Sequence, residues 1–247
     1  MPAAYSSYAH ICTRFYDLTL DPPNVASFVA NKSDIKGDEK VLFIGSMFGI
    51  AESLAAIGLH LTVTDYSDDM VTLGKQRLPS CQVIKADIRS LPFRQEFDWI
   101  FVVGRVLTHM ITEADLTAAL NSCHQALRPT GGLFADNYED TRIESTSYFN
   151  GTIEAQDESC RIVRSSTTKR LSTSPFVVNW SAEYSGTMHG SPFHFSDSIK
   201  HRAFSRLEFA KELGKAGFQV LDQGDNFDET SFYTVSKRND TILGTAS

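Results

Sequence analysis

From Lys40 onward, short apolar runs alternate with stretches of helical spacing, and that alternation leaves few folds open. Residues 41–44 (Val-Leu-Phe-Ile) form an unbroken apolar run ending at Gly45, the pattern of a strand buried on both faces. Residues 49–58 carry apolar side chains at helical spacing and stop at Gly58, a natural C-terminal cap. Residues 59–64 alternate as a strand and run into Asp65. Ser67 then reads as the N-cap of a helix with an acidic first turn that contains Met70, Val71 and Leu73. Residues 82–86 and 97–103 are two further strands. Thr112, with Asp115 three positions on, caps a helix running to about Leu127. Residues 128–132 (Arg-Pro-Thr-Gly-Gly) break that helix, and residues 133–138 form a fifth strand. Strands separated by helices need crossover connections, so the chain builds an open α/β sheet.

After about Arg142 the alternation stops. Residues 145–200 are rich in Ser and Thr, with β-type patches and the aromatics Tyr148, Phe149, Phe176 and Trp180. The aromatics argue for packing, so this stretch is expected to be an inserted antiparallel β flap and not a disordered loop. Ser205 caps a helix to about Ala216, and residues 217–221 and 231–236 return as strands. The expected arrangement is a single domain over 1–247. It has an N-terminal helical cap (1–37), a core (38–142 and 201–238), and a flap (145–200) over the active site.

Charge narrows the function classes. A net charge of −7 argues against non-specific nucleic-acid binding and against an anionic membrane surface, both of which need a basic face. No apolar run approaches the roughly 18 residues of a membrane span. The opening Met-Pro-Ala-Ala-Tyr lacks the basic and apolar regions of a secretion signal. The four cysteines (Cys12, Cys81, Cys123, Cys160) are widely spaced and read as reduced thiols in the cytoplasm. The seven histidines are scattered with no H-x-x-x-H pair, so no metal is expected. Nothing in the sequence specifies an oligomeric state. A small-molecule substrate is the partner that remains.

The first turn carries the chemistry. Gly45-Ser46-Met47-Phe48-Gly49 links a strand to a helix, where glycines admit a ligand to the backbone and the helix offers unpaired N–H groups. Asp65, 16 residues beyond Gly49, ends the next strand and can accept hydrogen bonds from both ribose hydroxyls; the plainer reading is a turn aspartate. Asp87, after the third strand, can reach an adenine amino group.

With these residues in register, the chain resembles the class I S-adenosylmethionine (AdoMet)-dependent methyltransferases, and most of all the small-molecule branch typified by glycine N-methyltransferase. The resemblance rests on Val41-Leu42-x-Ile44-Gly45 with Gly49, Thr64-Asp65-Tyr66-Ser67 with Met70, and Ala86-Asp87. It extends through Phe97-Asp98-x-Ile-Phe, Gly104 with His109, Leu127-Arg128-Pro129-x-Gly131-Gly132, Asn137-Tyr138, and the late Phe204-Ser205 and Gly217-Phe218 segment. It implies a Rossmann-like α/β fold: a seven-stranded, mostly parallel sheet with helices on both faces and the antiparallel flap inserted. It also implies S-adenosyl-L-methionine across the C-terminal edge of that sheet. Gly45, Ser46, Met47 and Gly49 would meet its methionine half and Asp65 its ribose. Tyr66 and Met70 would meet the adenine face, Asp87 and Ile88 the adenine edge, and Gly104 and Arg105 the sulfonium end. Tyr5, Tyr8 and Tyr16 are candidates to close over the site.

The departures matter as much. Phe43 stands where the family carries an acid, Met47 where it has a third glycine, and Phe48 where it has a small residue. Loss of the acid weakens the grip on the methionine ammonium and lowers that amine's pKa. Met47 and Phe48 are expected to crowd the methionine end. The expected activity is methyl transfer to a nitrogen, or similar nucleophile, of a small molecule. Asn137, Tyr138, Arg105, His109 and Tyr16 are the catalytic candidates, with His109 a candidate base and Arg105 suited to a carboxylate. The alternative is intramolecular cyclisation of AdoMet, as in methyltransferase-like azetidine-2-carboxylate synthases, because a neutral amine can attack its own γ-carbon. A second alternative is AdoMet binding without catalysis.

Overall fold

The protein is described by a computed structural model over residues 2–243; Met1 and residues 244–247, which the expected single domain includes, lie outside the described residues. Two helices, α1 (Ala9–Thr19) and α2 (Pro22–Ser33), precede the first strand. Then come β1 (Lys40–Ile44), α3 (Phe48–Ala56), β2 (His60–Asp65), α4 (Asp68–Arg77), β3 (Gln82–Lys85), β4 (Phe97–Val102), α5 (Glu113–Ala126) and β5 (Leu127–Tyr138). Four strands follow in succession: β6 (Gly151–Gln156), β7 (Cys160–Thr173), β8 (Phe176–Met188) and β9 (Ser191–Arg202). The chain closes with α6 (Arg206–Lys215), β10 (Phe218–Asp225) and β11 (Ser231–Arg238).

The main sheet has seven strands in the order β10-β11-β5-β4-β1-β2-β3. β1 to β5 pair in parallel, and β11 enters antiparallel between β5 and β10. This is the mostly parallel, Rossmann-like α/β architecture expected from the alternation. Local chemistry sets the helix starts. The Ser67 hydroxyl accepts from the Met70 N–H at 3.3 Å, that of Thr112 from Asp115 at 3.0 Å, and that of Ser205 from Glu208 at 3.1 Å. β5 differs from expectation at its start. Its pairing with β4 begins already at Leu127, opposite Phe97, and resumes at Gly132 opposite Trp99. The Arg-Pro-Thr-Gly-Gly stretch is an excursion within the strand, anchored to β4 at both ends.

Apolar clusters fill both faces of this sheet. One gathers Leu116, Leu120, Phe209 and Leu213 from α5 and α6, and the other Val29, Phe48 and Leu54 from α2 and α3. The flap strands form a separate antiparallel sheet in the order β6-β7-β8-β9, extending two residues beyond 200. Its inner face buries Ile162, Trp180 and Tyr184, which join Phe15 of α1 in a third cluster. Polar contacts tie the N-terminal segment down as well. Arg14 pairs with Asp157, the Ala4 N–H donates to Asp197 at 2.6 Å, and the Ser67 hydroxyl donates to the Tyr5 carbonyl. Among the described residues no helix is long and apolar enough to cross a membrane.

Candidate active site

A cavity of about 560 Å³ lies at the C-terminal ends of β1, β2 and β4, under a roof made by the N-terminal segment and the flap. Its floor is the β1–α3 turn. Gly45 takes φ +113°, its N–H donates to the Thr64 carbonyl at 2.9 Å, and Ser46 and Met47 line the cavity beside it. Asp65 ends β2 at the same edge. Burial pushes its carboxyl up to about 6, even though the Ser67 and Tyr66 N–H groups and the Ser46 side chain hydrogen-bond to it. Such a carboxylate gains from further donors. Tyr66 stands exposed beside it, with Met70 buried beneath.

Asp87 and Ile88 also line the cavity, but Asp87 is engaged locally. It accepts from the Arg89 N–H at 2.9 Å and from the Arg89 guanidinium at 2.7 Å, and this pairing holds its carboxyl below the usual range. Met47 lies against Gly104: a Cβ on Gly104, which takes φ +97°, would come within 2.7 Å of Met47 Cγ.

Phe48 does not crowd the cavity. Its ring turns into the core, with Arg77 of α4 lying over it at 5.7 Å. Phe43 is likewise fully buried in that core. Gly49 lies outside the cavity lining and serves a close approach. A Cβ there would meet Asp17 Oδ1 at 2.5 Å and Pro22 Cγ at 2.9 Å, so the α1–α2 connection rests on it.

On the roof side, Tyr138, Tyr16, Arg105 and His109 all line the cavity. The sequence pattern offers Arg105 a ligand carboxylate, but two of the chain's own carboxylates hold it. Arg105 Nε lies 3.6 Å from Asp136 Oδ2, and its Nη2 pairs with Asp228. Asp136 Oδ1 also accepts the N–H groups of Gly104 at 2.9 Å and Arg105 at 2.8 Å, which fixes the turn after β4. His109 is pushed down to about 4 by burial and is therefore neutral near pH 7. The Tyr5 hydroxyl lies 3.5 Å from its Nε2, and the His201 ring is centred 5.0 Å away.

Besides Gly49, two candidates are not brought to the cavity. Asn137 is completely buried on the opposite face of β5 from Tyr138, and neither of its amide atoms has a hydrogen-bond partner among the described residues. Tyr8 stacks on Phe195 of the flap at 4.0 Å. The structure adds residues that sequence reasoning passed over: Tyr148, Trp180, Tyr184 and His201 line the roof, and Asp136 braces the floor. The signal for Trp180 and Tyr184 is their shared parity on a strand, which puts them on one face. Among the described residues no group of three or more His, Cys, Asp or Glu is placed to hold a metal ion.

Comparison with known proteins places this cavity in context. Residues 41–131 match the family described as a methyltransferase domain. A putative methyltransferase of Bacillus subtilis (strain 168), YqeM, is 24% identical over 198 residues, which is 76% of this chain and 76% of its own. An S-adenosylmethionine-dependent methyltransferase from Clostridium acetobutylicum ATCC 824 superposes with a TM-score of 0.76 at 15% identity, covering 96% of this chain and 99% of that one. CalS10, an amino pentose methyltransferase from Micromonospora echinaspora in its SAM-bound form, gives 0.73 at 18% identity, covering 94% of this chain and 96% of that one. The sugar N-methyltransferase KedS8 from Streptoalloteichus sp ATCC 53650 gives 0.70 at 18% identity, covering 97% and 94%. At these identities the structural likeness is one of fold.

Proposed function

We propose that the chain, whose residues 41–131 match a methyltransferase domain, is an AdoMet-dependent enzyme that methylates a nitrogen of a small molecule, in the cytoplasm, where its four free thiols stay reduced. The observation that carries the reading is Asp65. A buried carboxylate, raised to about 6, ends β2 beside the Gly45–Ser46 turn and lines the cavity. Ribose hydroxyls are the donors such a group lacks, and the residues present fit AdoMet in this respect. Gly45, Ser46 and Met47 would hold its methionine half and Tyr66, Met70 and Ile88 its adenine. Bound there, AdoMet supplies an electrophilic methyl group.

What remains for the chain is to align the acceptor, keep water out, and keep the nucleophile unprotonated. The roof does the first two, with Tyr138, Tyr16 and the neutral His109 presenting π faces and hydroxyls to the acceptor. The two carboxylates that line the cavity, Asp65 and Asp87, both belong to its cofactor side. An amine entering under the roof therefore meets no carboxylate there. The likeness to KedS8, a sugar N-methyltransferase, supports nitrogen as the target, and the likeness to CalS10, an amino pentose methyltransferase, supports a small-molecule substrate.

The test is product analysis. Purified protein is incubated with AdoMet alone and with a panel of primary and secondary amines. S-adenosylhomocysteine formed only when an amine is present supports the proposal. Methylthioadenosine and a cyclic amino acid from AdoMet alone would replace it with intramolecular cyclisation. Binding with neither product would leave an AdoMet-binding protein without catalysis.

A further inference from the structure

Two guanidinium groups are buried near the roof of the cavity, and among the described residues only one of them forms an ion pair with a carboxylate. Arg105 has Asp136 and Asp228. Arg164, on β7, is completely buried. Its Nη2 donates to the Tyr148 carbonyl at 2.7 Å, while its Nε and Nη1 have no hydrogen-bond partner among the described residues. Three rings enclose it: Tyr148 at 4.4 Å, Phe15 at 5.0 Å and Trp180 at 5.4 Å. A buried cation left without a counter-charge is costly, so the surroundings favour an anion at this place. The acidic group in contact with it is Tyr148, whose ring lies under the guanidinium at 4.4 Å and which lines the cavity.

We propose that Tyr148 is the base that takes the acceptor's proton during methyl transfer, with Arg164 acting through it as a positioning residue. The inference rests on the methyl-transfer reading above. The groups that face Tyr148 come from five places: Arg164 on β7, Tyr16 on α1, Arg105 after β4, Tyr138 on β5 and Tyr184 on β8. Burial pushes Tyr5, Tyr16, Tyr138 and Tyr184 upward. Tyr148 alone among these roof tyrosines goes down, because Arg164, Arg105 and its hydrogen bonds together outweigh its burial.

The proton balance is simple. The acceptor's lone pair forms the bond to the methyl carbon, and the carbon–sulfur pair stays on sulfur. The acceptor's N–H bond breaks, its electrons remain on nitrogen, and the proton forms the O–H bond of Tyr148. The phenol later returns that proton to water.

Tyrosinate absorbance of the full chain provides a readout independent of turnover. In the wild type one tyrosine ionises ahead of the rest, below the ordinary value of about 10. It is missing in Tyr148→Phe, displaced to higher pH in Arg164→Met, and restored in Arg164→Lys. Circular dichroism checks that each variant is folded, and the conservative Tyr148→Phe carries the test if Arg164→Met is not. With an amine that turns over, Tyr148→Phe lowers kcat by about a hundredfold or more. An early-ionising tyrosine that survives in Tyr148→Phe, or a loss confined to KM, overturns the proposal, as does a wild type with no early-ionising tyrosine. Calorimetry with AdoMet separates the two readings: absence of binding removes the methyl-transfer reading, while the absorbance result on Tyr148 stands on its own.

Discussion

Met47 fills the space that a side chain on Gly104 would need, its Cγ 2.7 Å from where that Cβ would lie. The turn after β1 and the turn after β4 are thereby packed together across the end of the cavity assigned to methionine. Met47→Ala opens that end, and the expected outcome is tighter binding of AdoMet by calorimetry. Weaker binding would mean that the thioether chain is a wall the ligand uses. Gly104→Ala is expected to weaken binding through both its φ of +97° and its clash with Met47, and the double variant recovers only the clash.

Asp65 sets a pH dependence. Its carboxyl is pushed up to about 6 in the free protein, and ribose hydroxyls bound as proposed would donate to its ionised form. AdoMet affinity is therefore expected to be flat above that pH and to fall about tenfold per unit below it. Asp65→Asn removes the dependence and weakens binding by about tenfold or more. An unchanged affinity in that variant would mean that ribose lies elsewhere.

Asp136 is expected to matter for stability more than any other floor residue. It neutralises Arg105 and accepts two backbone N–H groups while fully buried. Asp136→Ala should cost about 3–5 kcal/mol in urea unfolding, the range for breaking a buried pair. Asp228, whose side chain is 19% exposed, should cost less when replaced. Equal losses would place the energy in the Arg105 charge alone and not in the turn.

The buried imidazoles predict acid sensitivity. His109 titrates at about 4 when folded against an ordinary 6.5, and burial pushes His201 the same way. The unfolded chain takes up these protons first, so stability is full above about 6.5 and is lost as pH falls toward 4. Asp65 works in the opposite sense: its folded value is raised, so its contribution is present at low pH and lost as pH rises through about 6. Thermal melts of His109→Gln should show a shallower acid slope than the wild type. A slope identical in both would exclude His109 as a contributor.

The helix starts were legible because each depends on a side chain and an N–H three residues away, as at Ser67, Thr112 and Ser205. The strand-ending residues Gly45 and Asp65 were legible for a similar reason, since chain direction alone puts them at one edge. Asn137 and Tyr138 show the limit. Neighbours on a strand face opposite ways, so the pair could not both reach the cavity, and only Tyr138 does. Asp136 was hidden because its partners Gly104 and Arg105 come from the turn after β4, about thirty residues earlier in the chain. The flap's Tyr148, Trp180, Tyr184 and His201 have regular strand or loop contexts, and only the docking of that sheet onto α1 turns them toward a ligand.

The roof closes through bonds between very distant parts of the chain: Ala4 to Asp197, 193 residues apart, and Arg14 to Asp157, 143 apart. The floor, by contrast, is drawn from the stretch between β1 and β5. The N-terminal segment can meet α3 and α4 early, through Ser67 and Arg77, but its bonds to Asp157 and Asp197 wait until the flap strands have been made. Contacts of such separation form late because loop closure must precede their reward. A nascent chain thus completes the floor of the cavity before it completes the roof.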